Sequence, residues 1–431
     1  MIPAKSRQKR FYGWTALAGA MLVSVGMVGN AVTSYGVFLP TISEELGWSR
    51  STLSGPYTAF WIVLGLLGPL VGISIGKFGP RKNIIFGNLA TVLGLLAMSR
   101  ITEVWHAYLY FGILAGAGQA FGCFIATTTI ANNWFIKRRS VAMGLVIAAG
   151  GIGGLALPPI ISWLISSVGW RWGWVCLASI HLVLAVVLAG ILIKNRPEEL
   201  GQVPDGEAAG SPQEGDSGNL VTKVYQTAVD WKVGEALRTP ALWLVVAFSA
   251  AHIFSLNFLA AHQVAYVQDL GFSLMTAATT LGLLSGMSII GQLMCGTLAI
   301  RFEGRYLAVV CFVGFAVGMT ILMNVRSLPF IYLHTVLSGI SYGGLLVLMP
   351  VLIGAYFGRG HYPQIMGWTA PIPTLFGAGG PLLAGFIYDS TGSYRQAFVV
   401  MLVFLGVGMV CALLARPPIV PAKSQPAKGN I

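Results

Sequence analysis

Apolar residues in this chain run in long blocks separated by short polar breaks, rather than alternating or forming narrow stripes. A hydrocarbon core of about 30 Å takes roughly 20 helical residues to cross. Blocks of that order fall at residues 12–40, 53–76, 83–100, 105–132, 140–167, 172–193, 241–267, 274–300, 307–325, 329–357, 364–388 and 395–415. The pattern predicts an all-α membrane protein with twelve transmembrane helices, numbered here in that order. Composition agrees: 55% of the 431 residues are hydrophobic, 9% are charged and the mean hydropathy is +0.76. A soluble domain, typically about 25% charged, would need far more polar surface.

One long polar segment interrupts the series. Residues 194–238 are rich in Gly, Glu, Asp, Ser and Pro, the composition of a flexible connector, and they separate six helices from six. The expected organisation is a six-helix bundle over 1–193, a linker over 194–238, a second bundle over 239–416 and a tail over 417–431. The two sixes repeat each other. At an offset of 224, Leu46-Gly47-Trp48-Ser49 falls on Leu270-Gly271-Phe272-Ser273, Gly72 on Gly296, Lys77-Phe78 on Arg301-Phe302 and Arg81 on Arg305. At 223, Met143-Gly144 falls on Met366-Gly367, Pro158 on Pro381 and Gly169 on Gly392. Duplicated six-helix units are a signature of secondary transporters, whose site lies at the repeat interface near the bilayer midplane.

The net charge of +12 raises the question of a nucleic-acid partner, and sorting the basic residues by loop answers it. With the N-terminus in the cytoplasm, 21 Lys and Arg fall on the cytoplasmic side; Arg50, Arg100, Arg171, Arg326 and Arg395 make up the 5 on the other. Basicity therefore reports membrane orientation, with both termini cytoplasmic and a plasma (inner) membrane location expected. The basic start leads into an apolar span too long for a signal-peptide core and without a small-residue cleavage site, so that span is expected to remain as helix 1. Cys123, Cys176, Cys295, Cys311 and Cys411 lie inside apolar spans without metal-ligand spacing and read as small core hydrophobes.

Between helices 2 and 3, Gly72-Ile-Ser-Ile-Gly-Lys77-Phe-Gly-Pro-Arg81-Lys82 resembles the cytoplasmic loop signature of the major facilitator superfamily, echoed at Gly296-Thr-Leu-Ala-Ile-Arg301-Phe-Glu-Gly-Arg305. The resemblance implies two pseudo-symmetric six-helix bundles and a conformational-switch role for Lys77, Arg81, Arg301 and Arg305. Gly76 and Ile300 stand where the family pattern has an Asp, so the ion pairing of that Asp is missing twice. Tyr12-Gly-Trp with Tyr35-Gly-Val-Phe, Asn133-Trp-Phe-Ile-Lys-Arg-Arg139 with Ala142-Met-Gly144, and Gly380-Pro-Leu-Leu-Ala-Gly385 with Tyr388-Asp389-Ser-Thr-Gly392-Ser-Tyr394 resemble the monocarboxylate porter and oxalate/formate antiporter branch. That branch carries an Arg in helix 8, and its proton-coupled animal members add an Asp there and a Lys in helix 1. The aligned positions here are Gln292, Ser288 and Thr33.

Ionisable side chains are costly inside a bilayer and usually functional. None of the fourteen Asp and Glu falls mid-span, which leaves His252 near the middle of helix 7 as the titratable candidate. His262 and His334 lie nearer the outer face, and His181 is on a helix that supports the cavity in the family it resembles. Further midplane groups are Gln119 in helix 4, Ser285, Ser288 and Gln292 along one stripe of helix 8, and Thr335, Ser338 and Tyr342 along one stripe of helix 10. Asn30 and Thr33 in helix 1 and Trp368 in helix 11, with a broken turn at Pro371 and Pro373, complete the candidate substrate-binding set. Taken singly, each Ser or Thr reads more readily as helix-packing glue, and His252 competes with a core histidine bonded to a neighbouring helix. Gly150-Gly151-Ile-Gly153-Gly154 has no preceding strand and lies in an apolar helix, so a nucleotide loop is rejected.

These residues predict a secondary transporter, not an enzyme, moving a small organic acid, in particular a monocarboxylate, by alternating access. No cofactor, metal or nucleic acid is expected. The partners are the solute, the lipid bilayer and any co-transported proton, which would pass through His252; the functional unit is expected to be a monomer. A facilitator of a neutral solute and a non-transporting sensor are the alternatives.

Overall fold

The computed structural model describes residues 11–28, 34–206, 224–325 and 327–419. Twelve spans follow one another. They are α1 (Gly13–Met27 and Tyr35–Leu46), α2 (Arg50–Leu66 and Gly68–Phe78), α3 (Pro80–Met98), α4 (Val104–Trp134), α5 (Arg139–Val168), α6 (Trp170–Leu192), α7 (Pro240–Asp269), α8 (Leu274–Leu298), α9 (Gly304–Met323), α10 (Leu328–Phe357), α11 (Tyr362–Thr369 and Pro371–Thr391) and α12 (Arg395–Leu414). Among the described residues nine helices are individually long and apolar enough to cross a membrane, and the bent pair of α2 makes ten. The other two are α1, whose segments flank the undescribed residues 29–33, and α3, which opens on Pro80-Arg81-Lys82.

Local chemistry sets the joints, and it repeats. Gly47 (φ +68°) and Gly271 (φ +89°) both take the left-handed region, where a side chain would be strained. Two residues later, Ser49 and Ser273 cap α2 and α8 by accepting from the backbone N–H of Thr52 and Thr276. The bend of 53° in α2 falls at Gly68-Pro69, where proline removes a backbone donor and clashes with the preceding turn. α11 breaks at Ala370, just before Pro371, as its prolines predict. α4 is less regular than its composition suggests: Tyr108–Ala115 is wound as π-helix, and Cys123 (φ −123°, ψ −108°) interrupts the ladder.

The 194–238 segment is tied down at both described flanks, which its composition did not suggest. Asp205 accepts from the N–H groups of Ile136, Lys137 and Arg138, between α4 and α5. Asp230 accepts from those of Arg359 and Gly360, between α10 and α11. Two carboxylates on the linker thus cap equivalent loops of the two bundles, since offset 223 carries residue 137 onto 360. Trp231 adds a backbone bond to Phe357 and a buried ring.

Candidate functional site

The seam between the bundles is made by glycine. Lipid is as apolar as leucine, so helix association in a bilayer depends on close packing, which small residues permit. At the α2–α11 crossing, a Cβ on Gly367 would lie 3.0 Å from the Cα of Gly72, and at the α5–α8 crossing a Cβ on Gly144 would lie 3.1 Å from that of Gly296. Gly72 aligns with Gly296 and Gly144 with Gly367, so the two crossings are the same contact made twice. Both lie toward the end where the described chain starts and finishes. Toward the opposite end, Gly282 and Gly286 on α8 and Gly379 on α11 have open space beside them. The halves are therefore joined at the termini end and splayed at the other.

The candidate residues fall into three groups. His252, Tyr342, Ser285 and Ser288 come together from three helices of the second bundle. The His252 and Tyr342 rings are stacked at 6.4 Å and 23°, and the Tyr342 hydroxyl sits beside those of Ser288 and Ser285. Ser288 Oγ donates back to the carbonyl of Ser285 at 2.7 Å, which turns its lone pairs toward neighbouring donors. Close approach of α8 and α10 builds this cluster: the backbone of Ser288 fills the space a side chain on Gly343 would need. His252 is 1% exposed, and its Nε2 has no hydrogen-bond partner.

Gln292, one turn beyond Ser288, and Gln119 on α4 form a second group that shares a deficit. Both are buried; Gln292 Oε1 and both amide atoms of Gln119 are unpartnered. The Gln292 backbone meets α5 at Gly144, and its side-chain oxygen lies 3.9 Å from where a Cβ on Gly151 would sit, so the amide points across the seam. Gln119 hydrogen-bonds to none of the second-bundle cluster.

Other candidates lie apart. Trp368 is 47% exposed on α11 and stacks on no other ring among the described residues. Asn30 and Thr33 lie outside the described residues. Thr335 Oγ1 bonds to the carbonyl of Ile331 and Ser338 to His334, so neither joins the cluster around Tyr342. The other span histidines bond to neighbouring helices: His181 with Asn88 at 2.9 Å, His262 with Tyr394 and the Pro381 carbonyl, and His334 with the Gly318 carbonyl, though His334 Nε2 is unpartnered like that of His252. The loop cations stay within their own half. Arg81 donates twice to the carbonyl of Gly190, Arg305 pairs with Glu303 at 2.6 Å, Lys77 lies over the Phe78 ring, and Arg301 is exposed.

What crosses the seam at this end was not singled out from the sequence. The Gln364 amide of α11 occupies the space beside Gly76, the position of the family's Asp, so a side chain there would have to displace it. Arg359 donates to the carbonyl of Asn133 and pairs with Glu198 at 2.7 Å. Arg139, read above as a loop charge, is 5% exposed and donates to the carbonyl of Gly354 on α10. Its place at the end of a Lys-Arg-Arg run, next to an apolar block, is the one sequence signal that it could be inside.

Comparison with known proteins agrees with this architecture. The chain is 27% identical over 402 residues to monocarboxylate transporter 13 of Bos taurus, covering 92% of this chain and 88% of the relative. It is 26% identical over 394 residues to monocarboxylate transporter 4 of Gallus gallus, covering 90% and 79%. Among solved structures, the transporter FucP in its outward conformation superposes with a TM-score of 0.71 at 13% identity, covering 93% of this chain and 98% of that one. The sequence model of the Major Facilitator Superfamily matches residues 21–306 and 285–430, and the chain belongs to that superfamily.

Proposed function

We infer that this chain is a secondary transporter of a small organic acid, a monocarboxylate in particular, working by alternating access across the plasma membrane with both termini in the cytoplasm. The observation that carries the reading is the convergence of His252, Tyr342, Ser285 and Ser288 inside a bundle whose seam is closed at one end and open at the other. An imidazole and the Tyr342 hydroxyl can donate to a carboxylate, and the Ser285 and Ser288 hydroxyls would join them by turning from the helix carbonyls they now bond, because hydrogen bonds to a charged acceptor are the stronger kind and low local dielectric strengthens them further. Gln292 and Gln119, with unpartnered amides, supply further contacts at the seam. The relatives named above, alike over about nine-tenths of the chain, support this solute class. The glycine crossings would part as the bundles rock, and His252 would carry any coupled proton.

A second reading, facilitation of a neutral solute, is favoured by one observation: the cluster contains no fixed charge. Reconstitution separates the two. Purified protein in liposomes is expected to exchange labelled monocarboxylate, and in detergent to gain about 2.7 kcal/mol of stability at a hundredfold excess over Kd. Stabilisation by neutral sugars or amides with none by acids would favour the second reading, and no exchange of any solute would remove both.

A further inference from the structure

We propose that Arg139, with Asn132 and Tyr362, forms a second carboxylate site at the termini end of the seam, folded shut in this conformation and offered to the solute when the halves part there. The proposal rests on the reading that the solute is an organic acid.

Arg139 is a buried cation without an anion. Among the described residues no acid lies within ion-pair distance of it. The acids that face it, Asp205 and Asp230, are occupied by loop amides, and the charge of Arg359 faces it as well. Its guanidinium donates to the carbonyl of Gly354, and its Nε donates to nothing. Around it both amide atoms of Asn132 are equally unsatisfied, and the Tyr362 hydroxyl meets the Thr128 hydroxyl alone; each of the two residues is 0% exposed. Asn132 Oδ1 and Arg139 Nε lie 2.6 and 3.4 Å from the point where a Cβ on Gly354 would sit, so they share one small space. Buried polar atoms are almost always paired, and a charge taken out of water needs a partner. A carboxylate accepts from a guanidinium, an amide N–H and a phenol O–H at once, and so would satisfy every donor left over here.

Position makes the site part of a path. Arg139 and Asn132 come from the first bundle, Gly354 and Tyr362 from the second. On α5, Arg139 lies five residues beyond Gly144, where the Gln292 backbone crosses, which is about 7.5 Å of helix. An acid leaving the uncharged central cluster toward the termini would travel about one turn of α8, from Ser288 to Gln292, and then this length of α5 before meeting a cation, roughly 13 Å in all. The bond to Gly354 would occupy the guanidinium while this end is closed, and opening would free it as the solute arrives.

The rival explanation is that Arg139 only latches the closed end, and the two make opposite predictions. Loss of a latch favours the state open at the termini end and so raises apparent affinity at that face; loss of a carboxylate ligand lowers it. The test uses proteoliposomes, labelled pyruvate as probe and its neutral amide as control, with half-saturation measured separately at each face. Arg139→Gln and Asn132→Ala are each expected to raise the pyruvate value at the termini face by about tenfold or more, the loss of roughly one charge-assisted hydrogen bond. The opposite face and the amide should change little, and Arg139→Lys should keep most of the affinity. If Arg139→Gln does not fold, Asn132→Ala carries the test alone. A lower value at the termini face, an equal change at both faces, or the same change for the amide would overturn the proposal. If the wild type exchanges the amide but not pyruvate, the organic-acid reading itself fails and this site falls with it.

Discussion

His252 shares with His334 a buried ring nitrogen that meets no partner, and differs from it in lying beside Tyr342 and the hydroxyls of Ser285 and Ser288. His181, His262 and His334 each hold a neighbouring helix through a carbonyl, an amide or a hydroxyl, and their conservative replacement should cost stability before anything else. His252 bonds to the backbone of Tyr342 and lies flat against its ring, which leaves Nε2 as the nitrogen available to a ligand. No carboxylate lies mid-span among the described residues, and imidazole is the side chain whose ordinary titration falls near physiological pH. Protonated, it would be the cation of the central cluster; anion binding would favour that form and release would favour proton loss, which is symport. His252→Gln keeps a polar side chain of similar reach and removes the titration. Accumulation of solute driven by a pH gradient should disappear while exchange at equal pH survives in part. Accumulation equal to wild type would assign the ring to packing.

At the scale of the element, the chain was legible wherever a residue's role is local or repeated. Block length gave the helices, the Leu-Gly-aromatic-Ser repeat marked two left-handed turns with two serine caps, and the offsets that paired Gly72 with Gly296 and Gly144 with Gly367 turned out to pair the seam contacts themselves. Roles that depend on a distant partner were not legible. Gly76 shows its purpose only when Gln364 is seen in its place, and the linker carboxylates only when the loops they cap are folded around them. The burial of Arg139 was not legible because a charge at the edge of an apolar block looks like every other interfacial charge; what buries it is the other half of the molecule. The glycine seam makes its own prediction. Gly72→Leu and Gly144→Leu should each overpack a crossing by about 1–3 kcal/mol, shifting the balance toward the state open at the termini end by a factor of about 5 to 150. A cysteine placed at buried Ser140 reports it by faster alkylation. Gly282→Leu, with open space beside it, is the control and should leave the rate unchanged; equal rates in all three proteins would mean that the glycine crossings do not hold this end shut.

For the whole molecule, orientation is expected to follow from where the positive charge falls, because the two ends of the bundle carry very different numbers of cations. The termini end carries Lys77, Arg81, Lys82, the 137–139 run and Arg359, together with the linker that ties the halves. The open end carries few cations, one of which, Arg171, is paired with Glu45. Basic loops are retained on the cytoplasmic side during insertion, so the splayed end should face out. The five native cysteines are few enough to remove: three are buried, and Cys176 and Cys411 are partly exposed. In a chain lacking them, single cysteines at Arg50 and Ser327 should react with an impermeant maleimide added to intact cells, and one at Gly210 in the linker should react after lysis alone. Labelling at Gly210 in intact cells would invert the molecule. The glycine crossings and Arg139 would then close the outer face, and the direction in which each proposed site meets the solute would reverse with them.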